Sequence, residues 1–461
     1  MFARRLPVAL LLLGALVFAA CGDDDEPTGG GDGTTSTTAA GLTDSFRGVT
    51  AETIKLGIVI VDYDSIAQFV DFARGDQQAI AQVFVDDINE NGGILGRMVE
   101  PVYKVYPPIP GMEPSPLAIC TSLTEDEAVF AVLGVFIDFT GEGQLCLSRD
   151  HDTIHLGHEL EQPWIDGSPP ALMLSPDSTK EGQAERVINL LDEEGTLEGR
   201  TVAVLADQDS QGRVDDVIVP GLTDLGVEMG SEAILSIAGT DTSAAQSQLD
   251  SFLERWKTEG VDTVFISGLT ASAGQFVEKI AAEIPDVLLI TDADATVNQA
   301  QDQVAAGKGP ADNPYEGMLA ATGETASERW NDKPAVLEAC VDTYEAATGE
   351  TVIGPDDLQP DADGKLQQIY TTVTDFCGEL QMFKTIAERA GANLTNETWQ
   401  EAVDSFGSIE LASTRIASLC AGKYAADDSS RLVEFDSTIG ESGNWAPLTE
   451  VVDASGGRCT G

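Results

Sequence analysis

From residue 54 onward the sequence alternates between two hydrophobic periodicities, and that alternation restricts the chain to very few folds. Residues 54–61 (IKLGIVIV) form a short β-branched and apolar run, the mark of a buried strand. From about Gly75 to Asn91 the apolar residues Ala79, Ile80, Val83, Phe84 and Ile88 recur at helical spacing, and Asn91-Gly92-Gly93 stops the helix. A strand at 99–105, a helix at 116–123, and strands at 129–135 and 153–156 follow. The pattern then repeats: helix 180–194, strand 201–206, helix 215–225, strand 233–237, helix 244–259, strand 261–267, helix 272–283, and strands 287–291 and 317–321. Strands alternating with helices of 10–17 residues make βαβ units and parallel sheets. There are two such sets, near 54–160 and 200–320, and right-handed crossovers wind each into one doubly wound lobe. Residues 327–422 turn mainly helical, with a polar break at 354–364, and the tail alternates again. The expected class is α/β, with two doubly wound parallel-sheet lobes.

Charge removes whole classes of partner. The 461 residues hold 78 acidic and 25 basic side chains, a formal charge of −53. A nucleic-acid binder depends on Lys and Arg to neutralise phosphate, so none is expected here. Electrostatic attachment to anionic lipid is disfavoured for the same reason. At 42% hydrophobic residues the chain still has enough to bury a core, so the charge belongs to the surface.

The N-terminus sets the compartment. Arg4 and Arg5 precede an apolar run at 6–18, too short to span a bilayer comfortably, and Ala19-Ala20 precede Cys21. This reads as a secretory signal peptide over 1–20. The Cys that follows the small residues resembles the lipobox of bacterial lipoproteins, although Phe18 stands where an aliphatic residue is more usual. Lipidation of Cys21 is therefore expected, with several acyl chains as stable anchoring requires. Residues 21–48 are rich in Asp, Gly and Thr and read as an extended tether. No later stretch has 18 consecutive apolar residues. Six further cysteines remain, Cys120, Cys146, Cys340, Cys377, Cys420 and Cys459, an even number that suggests disulfides in an exported chain. Six cysteines allow 15 pairings; the neighbour-by-neighbour choice is Cys120–Cys146, Cys340–Cys377 and Cys420–Cys459. No CxxC pair is present.

IKLGIVI, DINENGGILGRMVEPVY, VFAVLG, VAVLADQDSQG and LTDLGVE together resemble the branched-chain amino acid-binding family of type I periplasmic substrate-binding proteins. The most specific piece is Asp87-Ile88-Asn89 with Gly92-Gly93-Ile94 and Gly96-Arg97. The resemblance implies two lobes joined by a three-segment hinge, lobe 1 at 50–172 plus 322–422 and lobe 2 at 173–321 plus 423–461. It implies an extracytoplasmic, monomeric protein without cofactor, to which the lipobox at Cys21 adds the lipid anchor. Such a protein captures a small solute between the lobes and delivers it to the permease and ATPase subunits of an ABC importer. A lipid-tethered sensor on the same fold is the alternative. An enzyme is not expected, because no nucleophile elbow, P-loop or GxGxxG fingerprint is present. The resemblance also points to Cys120–Cys146 as a bonded pair.

The family's ligand loops are altered. Tyr106-Pro107-Pro108 stands where an Asp is usual, Phe136-Ile137-Asp138-Phe139-Thr140 where a small hydroxyl residue is usual, and Ser210-Gln211-Gly212 where many members have Tyr-Gly. Candidate ligand-binding residues are Phe72, Asp138, Thr140, His158 and Glu159 from lobe 1 and Ser210 and Asp292 from lobe 2, because open α/β sheets bind ligands at strand carboxyl ends. Phe72 also suits core packing, and Asp292 also suits a cap or turn. His151, His155 and His158 hold every imidazole of the chain within eight residues. They invite a metal hypothesis, but 154–156 reads as strand and HExxH is absent, so no metal is expected. Carboxylates dominate the candidate segments, with Arg149 and Arg213 at their edges, so a ligand bearing an amine or other cation is expected.

Two outcomes follow. Mass spectrometry of membrane-extracted protein should find diacylglyceryl-modified Cys21, and a mature N-terminus elsewhere would contradict it. Non-reducing peptide mapping should recover Cys120 bonded to Cys146.

Overall fold

The computed structural model describes residues 41–67, 72–109, 111–137, 140–237, 243–268, 273–293, 296–359, 364–440 and 442–459. Asp138 and Cys21 lie outside the described residues.

The apolar run that opens the body is the strand Thr53–Val61. Its alternate residues enter different cores. Leu56, Ile58 and Ile60 join one buried cluster, and Val59 and Val61 join another on the opposite face. A strand covered on both sides needs an uninterrupted apolar sequence, which explains the run. It pairs in parallel with Met98–Tyr106 on one side and Ala131–Leu133 on the other. Ile154–Leu156 and Met173–Leu174 complete a five-stranded parallel sheet in the order second, first, third, fourth, fifth. The helix Gln77–Glu90 connects the first two strands, and the Asp76 carboxylate caps it by accepting from the Ala79 N–H at 3.0 Å.

The Gly92-Gly93-Ile94 and Gly96-Arg97 segment is a reversal with a physical reason for its residues. Gly93 has φ +70°, and a Cβ there would lie 2.0 Å from the Arg97 carbonyl oxygen, so only glycine fits. Arg97 is 1% exposed, and its guanidinium donates to the carbonyls of Thr43, Thr50 and Ala392. It thereby fastens the chain entering the fold to the end of the helix Ile369–Ala390.

The second sheet repeats this winding. Thr201–Asp207 is flanked on one side by Glu228–Met229 and Ala233–Leu235, and on the other by Thr263–Ser267, Leu288–Thr291 and Leu319–Thr322, all parallel. Ser429–Asp436 then adds antiparallel to Leu319–Thr322, and Asn444–Pro447 and Val452–Asp453 pair with it. Here too alternate residues of one strand divide between two cores, Ala203 and Leu205 into one, Val202, Val204 and Ala206 into the other.

The chain passes between the sheets three times: after Met173–Leu174, after Leu319–Thr322 and before Ser429–Asp436. The first and third passages run side by side, with the Ser175 N–H donating to the Tyr424 carbonyl and the Ala426 N–H to the Ser175 carbonyl. Between the second and third passages, the helices Ala335–Thr348, Ile369–Ala390 and Asn396–Asp404 pack on the first sheet. All three neighbour pairs of cysteines form disulfides: Cys120–Cys146, Cys340–Cys377 and Cys420–Cys459.

The sequence expectations differ from this fold mainly at element ends. The strand expected at 129–135 shortens to Ala131–Leu133, because Gly134 leaves the ladder at φ +112°. The helix expected at 215–225 starts earlier, at Gln211, and contains a wide turn at Val214–Ile218.

The aromatic seam under the first sheet tests its packing. Phe383 is buried, its ring stacked on Trp399 at 5.3 Å and set edge-on to Phe130 at 6.2 Å. Phe383→Ala should cost about 3–5 kcal/mol through lost burial and the cavity left behind. A urea midpoint equal to that of the parent protein would contradict this packing.

Candidate functional site

The first sheet carries the order 2-1-3-4-5, and the second winds the same way with Glu228–Met229 and Ala233–Leu235 sharing one edge of Thr201–Asp207; in open sheets of that kind the crevice opens beyond the strand carboxyl ends where the order reverses. In the first sheet this place holds a cavity of about 40 Å³. Val59 and Tyr63 from the first strand's end, Gly134 and Val135 from the third, His158, Arg74, and Thr372, Asp375 and Glu379 from the helix Ile369–Ala390 contribute to its lining. His158 is held between two acids. Its Nδ1 lies 2.6 Å from Asp177 Oδ2, and its Nε2 lies 3.1 Å from Glu379 Oε1. Burial alone would lower the imidazolium's pKa. The charge and hydrogen bond of Asp177, with the charge of Glu379, outweigh it and hold the pKa well above its ordinary value. Burial pushes the Glu379 carboxyl up, partly offset by His158. Burial likewise pushes Asp375 up, offset in part by His158 and Arg74, whose Nη1 lies 3.8 Å away. Arg74 also stacks over Phe72 and Tyr63, at 5.1 and 5.7 Å to the ring centroids.

In the second sheet the equivalent place is a compact ionic knot. The Ser210 N–H donates to Asp207 Oδ1 at 2.8 Å, and Arg213 Nη2 donates to Ser210 Oγ at 3.1 Å. Arg213 Nη1 lies 3.3 Å from Asp292 Oδ2, which also accepts from Ser267 Oγ at 2.5 Å. Gly268, at φ +67°, makes room for this knot, since a Cβ there would lie 2.2 Å from Ser210 Oγ.

A larger cavity of about 260 Å³ lies at the three passages between the sheets. Glu159, Asp177, Lys180, Arg186, Glu324 and Asp427 are its charged lining residues. Arg186 Nη1 pairs with Asp427 Oδ2 at 3.0 Å, and Thr414 donates to the other Asp427 oxygen. Asp177 borders this cavity while holding His158, so the two cavities share a wall.

The sequence candidates divide among these places. His158 lines the small cavity, and Phe72 backs it through Tyr63 and Arg74. Ser210 and Asp292 meet through Arg213. Glu159 lines the larger cavity and faces Lys180 Nζ at 3.8 Å. Thr140 is exposed in the loop before Gly141, where its hydroxyl accepts from the Glu142 N–H. The expectation that Arg213 stands at the edge is corrected. It is buried at the centre of the second-sheet knot, because Asp292 is itself buried and requires a counter-charge. The three histidines do not converge: His151 faces Glu125, His155 is buried with Nε2 at 3.3 Å from the Gly134 carbonyl, and His158 joins the acids. Among the described residues one group of metal-type donors assembles, Cys120, Cys146 and His151, and both sulfurs are committed to a disulfide.

The sequence reading missed Tyr63, Arg74, Asp177 and Glu379. Glu379 did carry a signal. It lies three residues after Phe376 and four before Phe383, on the helix's buried face, where an apolar residue belongs.

With the geometry in place, comparison with known proteins identifies the family. A sequence profile described as periplasmic binding protein matches residues 53–362. The chain belongs to the periplasmic binding protein family. Its fold is the type I fold of that family, seen in solved substrate-binding proteins of ABC transporters. A fatty acid ABC transporter substrate-binding protein from Thermomonospora curvata is similar at 16% identity and TM-score 0.58, over 90% of this chain and 95% of that one. A leucine-binding protein from Thermotoga maritima is similar at 13% identity and TM-score 0.57, over 87% and 99%. A solute-binding protein from Rhodopseudomonas palustris, solved with 3,4-dihydroxybenzoic acid, is similar at 13% identity and TM-score 0.56, over 87% and 98%. No curated protein matches the chain significantly by sequence. Proteins of this family bind small ligands outside the cytoplasm and work with ABC permease and ATPase subunits.

The His158 arrangement has a pH signature. A histidine with a raised folded pKa contributes stability that is fully present below its unfolded value, near 6.5, and lost as pH rises through the folded pKa. His155, lowered to about 4 by burial, acts in the opposite direction but is neutral in both states above 6.5. Melting temperature should therefore fall as pH rises above about 6.5, and His158→Gln should flatten that slope. Equal slopes in the two proteins would contradict the ionic clamp.

Proposed function

We propose that this protein is a lipid-tethered, monomeric binding protein that captures a small polar solute bearing an amine between two lobes and hands it to an ABC importer. It acts by binding alone. The observation that carries this reading is the cavity of about 260 Å³, because residues attached to both sheets and to all three passages line it. A ligand there would touch every segment that must bend for the lobes to close. The two lobes of the reading are 50–172 with 322–422 and 173–321 with 423–461, closing as a hinge does. The signal peptide, Cys21 and the acidic tether supply the anchor on the outer side of the membrane.

Ligand class has to come from this chain's own residues, since similar folds are described with ligands as different as leucine and 3,4-dihydroxybenzoic acid. Acids outnumber bases in the second-sheet knot and in the larger cavity, and around the small cavity once Asp177 is counted with its partner His158. Asp177, Asp375 and Glu379 face Arg74 and His158 near the small cavity. Asp207 and Asp292 face Arg213 in the second-sheet knot, and Glu159, Asp177, Glu324 and Asp427 face Lys180 and Arg186 in the larger cavity. Such surfaces favour a cation over a lone anion.

A thermal-shift screen with amino acids, amides, polyamines and aromatic acids tests the reading. A ligand at 100 times its Kd should add about 2.7 kcal/mol of stability. The same compound should reduce the radius of gyration in solution scattering. A screen without hits, or hits that bind without compaction, would count against it.

A further inference from the structure

The small cavity beside the first sheet contains a buried charge with an unused oxygen. Glu379 is 1% exposed, near the middle of the helix Ile369–Ala390. Its Oε1 faces His158, whereas Oε2 is buried and has no hydrogen-bond partner. Thr372, Asp375 and Glu379 are spaced three and four residues apart, so they present one helix face, and all three line the cavity. The positive groups nearby face these acids, although Arg74 Nε is itself buried without a hydrogen-bond partner. His158 is clamped between Asp177 and Glu379, and Arg74 is turned toward Asp375 and stacked on two rings. The lining itself holds two carboxylates and two cations, and Asp177, which holds His158 from outside the cavity, adds a third carboxylate to the cluster. The volume, about 40 Å³, suits a group near the size of a water molecule and excludes a bulky one.

We propose that Glu379, with Asp375 beside it, is the seat for the primary ammonium group of the captured solute. This deepens the solute-binding reading and rests on it. It moves the cation's partner away from Asp292, whose oxygens are already shared among Arg213, Ser267 and the Gly268 N–H. The unpartnered Oε2 accepts one ammonium hydrogen and Asp375 supplies a second charge. Asp177, held by His158, borders the larger cavity, so the seat adjoins the passages between the sheets.

Calorimetry with two matched sets of probes tests the seat. The first set is L-leucine, its N,N,N-trimethyl derivative and 2-hydroxyisocaproate. The second is putrescine and 1,4-butanediol. The expected result is binding by at least one of the two primary amines, at least ten-fold weaker binding of its hydroxyl analogue, and rejection of the trimethylated form. Glu379→Gln should weaken the amine at least ten-fold and leave the hydroxyl analogue unchanged. Should that variant fail to fold, Asp375→Asn must show the same selective loss. Equal binding of amine and hydroxyl analogues, or an unchanged amine affinity in the folded variants, would overturn the seat while leaving solute capture intact. Binding by no member of either set also overturns it, and the wider screen then decides separately whether any solute is captured.

Discussion

The passages between the two sheets are the constraint on which the rest depends, because they must be fixed in register and still bend. Their register is set by charges that are expensive to misplace. Asp428 is buried, and Lys423 reaches its Oδ1 at 3.0 Å while donating to the carbonyls of Ser418 and Ala425. Burial pushes the Asp428 carboxyl up and the Lys423 ammonium down, each opposed by the other's charge. A buried pair of this kind adds little net stability, but removal of one partner typically costs about 3–5 kcal/mol. Arg186 does similar work one step away, holding both the carboxylate and the carbonyl of Asp427. Any other register for the third passage would leave these groups buried and unpaired.

From that anchoring the position of the site follows. Each sheet reverses its strand order at its first strand, and in open sheets of this kind the crevice lies at the carboxyl ends beside that reversal. The two openings are filled differently. The second sheet closes its own with an Arg213–Asp292 pair and a glycine that lets the loops meet. The first sheet leaves a cavity, because its floor comes from a helix that enters only after the second passage. Each retains an unused group, an acceptor at Glu379 Oε2 beside the first sheet and a donor at Arg213 Nε in the second, but it is the first that has a cavity beside it.

Much of the architecture was legible because local physics dictated it. The runs at 54–61 and 201–206 must be covered on both faces, and the alternation of strand and helix leaves only parallel winding. The Gly93–Arg97 reversal was legible as a motif, although its purpose, three carbonyls gathered by Arg97, needed the fold. The site was only partly legible. His158 stood out as an imidazole just past a strand, but its partners Asp177 and Glu379 are 19 and 221 residues further on and no local pattern links them. Arg213 read only as a cation at the edge of the candidate segments, and only the distant Asp292 makes it a buried counter-ion. Strands of two residues, such as Met173–Leu174, carry too little pattern to detect, although this one closes the first sheet and delivers the chain to the first passage.

The formal charge of −53 bears on the site less than its size suggests. Exposed carboxylates act through water and salt, and at physiological ionic strength their influence fades over about 8 Å. They raise the local concentration of any cation without choosing among cations. Choice requires charges removed from solvent, where geometry and unmet hydrogen bonds enter the balance. Glu379 meets that condition and Glu159, two-thirds exposed, does not. Of the acids beneath the first sheet's carboxyl edge, Glu379 alone is removed from solvent, which is why the proposed seat centres on it and not on Asp375 or Asp177.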